Sequence, residues 1–142
     1  MKIRSFKDVN VERTFAVYPK QISNHLLGIR ELIFSIAEKT IEIGELEETL
    51  KWESPSYLTR HPKSGTTIRL SGLLSNENKY AISVHCQTTL VSEFKELYSD
   101  LEYDGNRSLI FDVRKEQPTE VIEYFIYLAL TYHYRKKRGI GL

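Results

Sequence analysis

Two short turn segments constrain this chain more than any other feature. HPKSG (61–65) and SNENK (75–79) are dense in the residues that end regular structure. Beside them, apolar residues recur at every second position: Ile68 and Leu70 in TTIRLSG, then Tyr80, Ile82, Val84 and Cys86 in YAISVHC. A period of two is the signature of a half-buried strand. Strands joined by so few residues pair antiparallel, since a parallel connection needs roughly a dozen residues or more. The centre of the chain is therefore expected to be an antiparallel sheet.

Helical spacing flanks that centre. Asp8 is placed to cap a short helix over 9–17, and Pro19 suits the first turn of a second helix. Ile22, Leu26, Ile29, Ile33 and Ile36 form its apolar stripe, and Gly44 marks the exit. Leu50 and Trp52 then alternate with Lys51 and Glu53 in a strand that Pro55 limits. After the central strands, Leu90, Phe94 and Leu97 return to helical spacing, Asp104-Gly105 reads as a hairpin turn, and SLIFDV (108–113) as a further strand. Pro118 opens a last helix with Val121, Ile122, Phe125, Leu128, Ala129 and Tyr132 as its buried stripe. This order predicts a single α+β domain over 1–142, an antiparallel sheet of about four to five strands with helices packed mainly on one face.

Charge and cysteine content exclude some classes. Twenty basic and nineteen acidic residues leave a net charge of +1, which argues against a dedicated nucleic-acid binder. One cysteine, Cys86, allows no internal disulfide and fits a reducing compartment. No apolar run approaches the roughly 20 residues needed to span a bilayer, and MKIRSFKDVN lacks a signal-peptide core. The expectation is a cytoplasmic protein with no membrane and no nucleic-acid partner.

Three groups of residues bear on chemistry. Between residues 38 and 53 stand six glutamates, against only Lys39 and Lys51. Glu38, Glu42, Glu45, Glu47 and Glu48 are the candidate metal ligands, because carboxylates suit weak, reversible cation binding. The plainer reading of such a run is a solvated helix end. Lys51, Trp52, Ser54, Pro55 and Tyr57 are the candidate ligand cleft, an aromatic pocket with few polar groups. The plainer reading makes Trp52 a core anchor. His25, His61, His85 and His133 match no metal motif, and His85 and Cys86, adjacent on a strand, point to opposite faces. Cys86 then reads as a small buried hydrophobe. No phosphate loop and no nucleophile motif is present, so the chain does not read as an enzyme. The basic HYRKKR tail fits a helix C-terminus, where cations complement the dipole. EYFIYLALTYHY (123–134) is apolar or aromatic nearly all round, with Tyr124, Tyr127 and Tyr134 off the main stripe. Such a helix is sandwiched in the fold or half-buried in a partner, and the latter predicts a homodimer.

One resemblance adds to these readings. Tyr18-Pro19 leads into the helix LLGIRELIFSIAE. There follow ETLKW-x-x-P within EETLKWESPSYL, the glycine-turn strands, EYDGNRSLIFD and a closing helix from Pro118. In order and spacing this resembles the YdhG-like family of small bacterial domains of unknown function. The chain departs from it at Glu53, where many members carry Gly or another small residue. The resemblance implies a two-layer YdhG-like or frataxin-like architecture. Members have been likened to frataxin, and one branch is regarded as an iron chaperone for iron–sulfur cluster and haem assembly. What this implies here is iron held weakly on the glutamates named above and passed to a protein partner. The alternative is a small-molecule-binding or protein-interaction module without catalysis.

Overall fold

A computed structural model describes residues 2–141; Met1 and Leu142, the ends of the predicted 1–142 unit, lie outside the described residues. Two helices come first, α1 (Val9–Val17) and α2 (Lys20–Lys39), then four strands, β1 (Glu45–Lys51), β2 (Ser54–His61), β3 (Ile68–Leu73) and β4 (Asn76–Ser83). α3 (Leu90–Leu97), β5 (Glu102–Asp104), β6 (Ser108–Asp112), α4 (Thr119–Leu130) and α5 (Tyr132–Lys137) complete the chain. The strands form one antiparallel sheet in the order β1-β2-β3-β4-β6-β5. The α+β class is as expected, with six strands where about four to five were predicted.

The extra strands come from two turns. β1 and β2 are a tight hairpin whose turn is Trp52-Glu53, with φ of 54° and 61° and with Lys51 opposite Ser54. Two positive φ values in a two-residue loop follow the right-handed twist of the strands, but they favour glycine and asparagine. Trp-Glu gives no such signal. Pro55 does not end the strand. It pairs with Leu50 on β1, and the pairing with β3 begins only at Ser56, past the residue that lacks an N–H. The second turn, at Asp104-Gly105, separates the three-residue β5 from β6 as the dipeptide predicts.

Strand alternation sorts the sheet into two faces. Tyr57, Ile68, Leu70, Tyr80, Ile82, Leu109 and Phe111 join Val11, Phe15, Leu26, Ile33, Phe94 and Phe125 of the helices in one core. The opposite face carries Ser83 and Ser108, whose hydroxyls meet at 2.7 Å, and a Lys79–Glu102 ion pair at 2.8 Å. The helices thus cover one face.

Several expectations change in detail. Asp8 caps α1 by accepting from the Asn10 N–H, as predicted. α2 stops at Lys39, before Glu42. β4 stops at Ser83, and Cys86 is exposed rather than a buried hydrophobe, because residues 85–88 turn back on themselves: the Thr88 N–H donates to the His85 carbonyl. Leu97 is exposed at the end of α3. The apolar last helix buries Ile122, Phe125, Ile126, Leu128, Ala129 and Leu130 in the fold and leaves Tyr127 exposed. It is interrupted at Thr131, with φ of −112° and ψ of 9°, and α5 follows. Among the described residues no helix is long and apolar enough to cross a membrane.

Candidate functional sites

The acidic segment is mostly occupied by arginine. In ELEETLK, Leu46, Glu48 and Leu50 share one strand face, which β1 turns toward the helices. Glu48 therefore points inward and needs a counter-charge. Arg30 of α2, 1% exposed, supplies it through Nε and one terminal nitrogen at 2.6 and 3.1 Å. The remaining guanidinium donors reach the Arg4 carbonyl at 2.6 Å, the Ser5 carbonyl at 3.2 Å and the Glu31 carboxylate at 3.3 Å. All five N–H groups of an arginine are thereby satisfied. The Phe6 ring lies 3.8 Å from the guanidinium carbon, a stacking arginine favours. Tyr57 donates its hydroxyl to Glu48 at 2.8 Å. Burial and then the Glu48 charge push the Tyr57 phenol well above its ordinary pKa, so it stays a donor. This is a closed clasp that ties residues 4–6 to α2 and β1.

The other predicted metal ligands do not join Glu48. Glu38 pairs with the Arg4 guanidinium through both oxygens, at 3.0 and 3.2 Å, and Glu47 pairs with Arg60. Glu42 is half-buried in the turn after α2, and Glu45 is exposed. Glu38 and Glu42 share no helix face, because α2 has ended. Among the described residues there is no group of three or more His, Cys, Asp or Glu side chains that could hold a metal ion. A cavity of about 350 Å³ does open here, lined by both signs of charge: Arg4, Lys7, Glu38 and Glu45, with Phe34 and Leu46.

The five predicted cleft residues also diverge. Trp52 is 86% exposed at the hairpin tip, not a core anchor. Tyr57 and Pro55 are buried, Ser54 is half-buried, and Lys51 lines a different depression beside Leu58, Arg60 and Lys63.

The residues that do converge were not grouped by the sequence reading. The β2–β3 loop, the β4–α3 loop and α5 meet at one end of the sheet around a cavity of about 450 Å³. The first loop contributes Lys63, Thr66 and Thr67, the second His85, Gln87 and Thr88, and α5 Tyr132, His133 and Lys136.

The frame of this pocket is fixed by buried hydrogen bonds. Ser64 donates its hydroxyl to the Leu130 carbonyl at 2.8 Å, Thr66 N–H donates to Ala129 at 2.9 Å, and Tyr134 N–H donates to Ser64 at 2.9 Å. Gly65 is the hinge of that contact. A Cβ there would lie 2.3 Å from the Leu130 carbonyl carbon, so no larger residue lets the loop approach α4 this closely. Arg135, one of the basic residues read as a helix C-terminus, lies in the last turn of α5 and is buried. It donates to the Leu128 carbonyl at 2.7 Å and to the Thr131 hydroxyl at 3.0 Å, satisfying the end of α4.

Polar side chains face the cavity from each wall. The Gln87 N–H donates to Nδ1 of His85 at 3.1 Å, which leaves the proton of the neutral ring on Nε2. The Tyr132 hydroxyl accepts from the Thr89 N–H at 3.2 Å. Burial alone would raise that phenol, but the Thr89 hydrogen bonds and the Lys136 charge hold it below its ordinary value. His133 is lowered by burial first, then by the charges of Lys63, Lys136 and Lys137. Among the described residues none of these three lysines has an ion-pair partner.

The comparisons with known proteins leave the resemblance to YdhG-like domains where the sequence put it: no family model, curated protein or solved structure matches this chain.

Proposed function

We propose that this protein is a binding module without catalysis, and that its ligand sits in the sheet-end pocket. The observation that carries this reading is the convergence of three separate segments on one polar cavity of about 450 Å³, within the usual range for small-molecule sites. The glycine contact and the buried hydrogen bonds give it a preformed wall, which lowers the ordering cost of binding. Binding rather than catalysis is favoured because, among the described residues, no hydroxyl or thiol is hydrogen-bonded to the His85 or His133 ring. An activated nucleophile needs such a pair.

Iron carriage on the glutamates is the competing proposal that the family resemblance brings. Three of the five carboxylates, Glu38, Glu47 and Glu48, would first have to leave arginine partners. Among the described residues, Glu42 and Glu45 are the two of these five without an ion pair.

Amide-resolved NMR separates the two. Titration with a library of small polar fragments should move the amides of Gly65, Thr66, Thr67, Gln87 and Thr88 saturably. Ferrous iron should leave residues 38–48 broadened only weakly and without saturation. Saturable iron binding that a Glu42→Gln/Glu45→Gln variant abolishes, with no fragment entering the sheet-end pocket, would reverse the assignment.

A further inference from the structure

We propose that the ligand of the sheet-end pocket carries a phosphate monoester, seated between Lys63 on one wall and Lys136 on the other. This rests on the binding-module reading and names the chemistry of the same pocket.

Charge balance comes first. Lys63, Lys136 and the adjacent Lys137 bring three ammonium groups to one end of the sheet, with no ion pair among the described residues. Their influence reaches His133, whose pKa is lowered by burial first and by these three charges second. A single carboxylate would leave most of this charge unbalanced. A phosphate monoester brings roughly −1.5 to −2 charges and three acceptor oxygens at neutral pH.

Donor geometry comes second. Lysine is a point-charge phosphate binder, and hydroxyl and imidazole N–H groups complete the usual shell. Thr67 lines the cavity on one wall; on the other the Thr88 hydroxyl already donates to the His85 carbonyl at 2.9 Å, and the Nε2–H of His85 is left free by the Gln87 contact. The nearest carboxylate by hydrogen bonding is Glu93, which already accepts from the Thr89 hydroxyl at 2.6 Å.

The extent of the patch comes third. Arg60, the next cation beside Lys63 in the neighbouring depression, is taken by Glu47. Arg138 stacks on the Tyr134 ring, 3.8 Å from its centre. Lys51, which lines the same depression as Arg60, has no ion pair among the described residues, and the Lys136 ammonium lies 5.7 Å from the Tyr132 ring centre. The cavity is where Lys63 and Lys136 share one space, which suits a compact dianion; a nucleic-acid backbone, which needs a track of contacts, is the competing outcome of the test.

A proton should accompany the ligand. Tyr132, Lys63, Lys136 and His85 line the cavity with His133, and Lys137 lies beside it; burial first and the three lysines second lower the His133 pKa, and a dianion arriving among them offsets the lysine part. His133 should therefore take up a proton on binding, and affinity should rise as pH falls from 8 toward roughly 6, where the phosphate itself begins to protonate.

The test uses the full chain with inorganic phosphate and glycerol 3-phosphate as probes, against glycerol and acetate, at physiological ionic strength. Both phosphates should shift the Gly65, Thr66, Thr67, Gln87 and Thr88 amides saturably and raise the His133 pKa. A Lys63→Gln/Lys136→Gln variant should lose roughly tenfold or more in affinity, the scale of lost charge-assisted hydrogen bonds. Lys115→Gln, an exposed lysine outside the pocket, should bind as the parent does. If glycerol or acetate shifts the same amides as strongly, and the double variant binds equally, the phosphate assignment fails while the binding module stands. If no probe or fragment shifts these amides saturably, both fail. If a short single-stranded oligonucleotide displaces phosphate and spreads the shifts to residues 136–140, the ligand is a polyanion instead.

Discussion

Two clusters of charge sit on this sheet, and they are built in opposite ways. At the β1 edge, Arg30 is buried and Glu48 nearly so, every guanidinium N–H has an acceptor, and Glu48 accepts from both Arg30 and Tyr57. At the sheet end, Lys63 and Lys136 have no carboxylate partner among the described residues, and the loop beside Lys63 is tied to α4 by the Ser64–Leu130 hydrogen bond and the close approach at Gly65. A charge that folding has already paired is architecture, since separating it costs several kcal/mol. Exposed charges of one sign that line one space without an ion pair are left over for something else to neutralise. On the proposed reading the difference puts the ligand at the sheet end and not at the glutamates, although these are the more conspicuous run in the sequence.

The largest effect should come from opening the clasp. Arg30→Met strands Glu48 as an unpaired, nearly buried carboxylate and should cost about 3–5 kcal/mol in urea unfolding. Adding Glu48→Leu should recover much of that loss, because a matched apolar pair of similar volume is often as stable as a buried ion pair. The Tyr57 hydroxyl, left without its acceptor, keeps the recovery partial. A double variant no better than Arg30→Met alone would break the comparison, since the arginine would then matter for something beyond pairing Glu48.

Gly65→Ala tests the other side. The added methyl would lie 2.3–2.4 Å from Leu130 and Ala129 backbone atoms, which cannot rotate away. The cost should be about 1–3 kcal/mol, as for overpacking generally. Phosphate binding should fall with it, because the loop carrying Lys63 and Thr67 must lift off α4. Unchanged binding in a destabilised variant would mean that the wall is not what shapes the site.

How much of this was legible in the sequence follows physical lines. Local patterns transmitted well: the Asp8 cap, the α2 stripe, the Asp104-Gly105 turn and the antiparallel order all appear as the residues dictate. The inward Glu48 was legible too, since it alternates with Leu46 and Leu50, but a run of glutamates reads first as a solvated face. The Trp52-Glu53 turn was hidden because it lacks the glycine or asparagine that positive φ favours. The sheet-end pocket was hidden for a different reason. Its residues are spread over KSGTT, HCQTT and YHYRKK, and only long-range pairing of the strands and the break at Thr131 brings them together. The weak available signal was composition: these loops gather His, Lys and Thr where ordinary turns need only Gly, Pro or Asn.

The hairpin tip sharpens the comparison at a smaller scale. Glu53 is held at a φ of 61°, so Glu53→Gly should stabilise the fold by about 1 kcal/mol, the steric penalty offset in part by added chain entropy. Because the turn belongs to the closed edge, phosphate affinity at the sheet end should not change. A gain in stability accompanied by altered binding would show that the two regions are coupled through β2.

The smallest effect on stability, and the most specific, should come from the pocket lysines. Lys63 and Lys136 are exposed, so replacing both by Gln should alter unfolding free energy by no more than about 0.5 kcal/mol. The readout lies in His133. Its folded pKa sits below 6.5 for burial first and the lysines second. A histidine depressed in this way contributes stability that is present above about 6.5 and lost as pH falls through the folded value, because the unfolded chain takes up the proton first. Removing the two cations should raise the folded pKa toward the ordinary value, though burial keeps it lower. The acid-side loss of stability should then become shallower, and NMR titration of the ring should report the upward move directly. An unmoved His133 would mean that the lysines spend their time in solvent rather than over the cavity. The sheet end would then be an ordinary basic surface, no more poised for a ligand than the clasp.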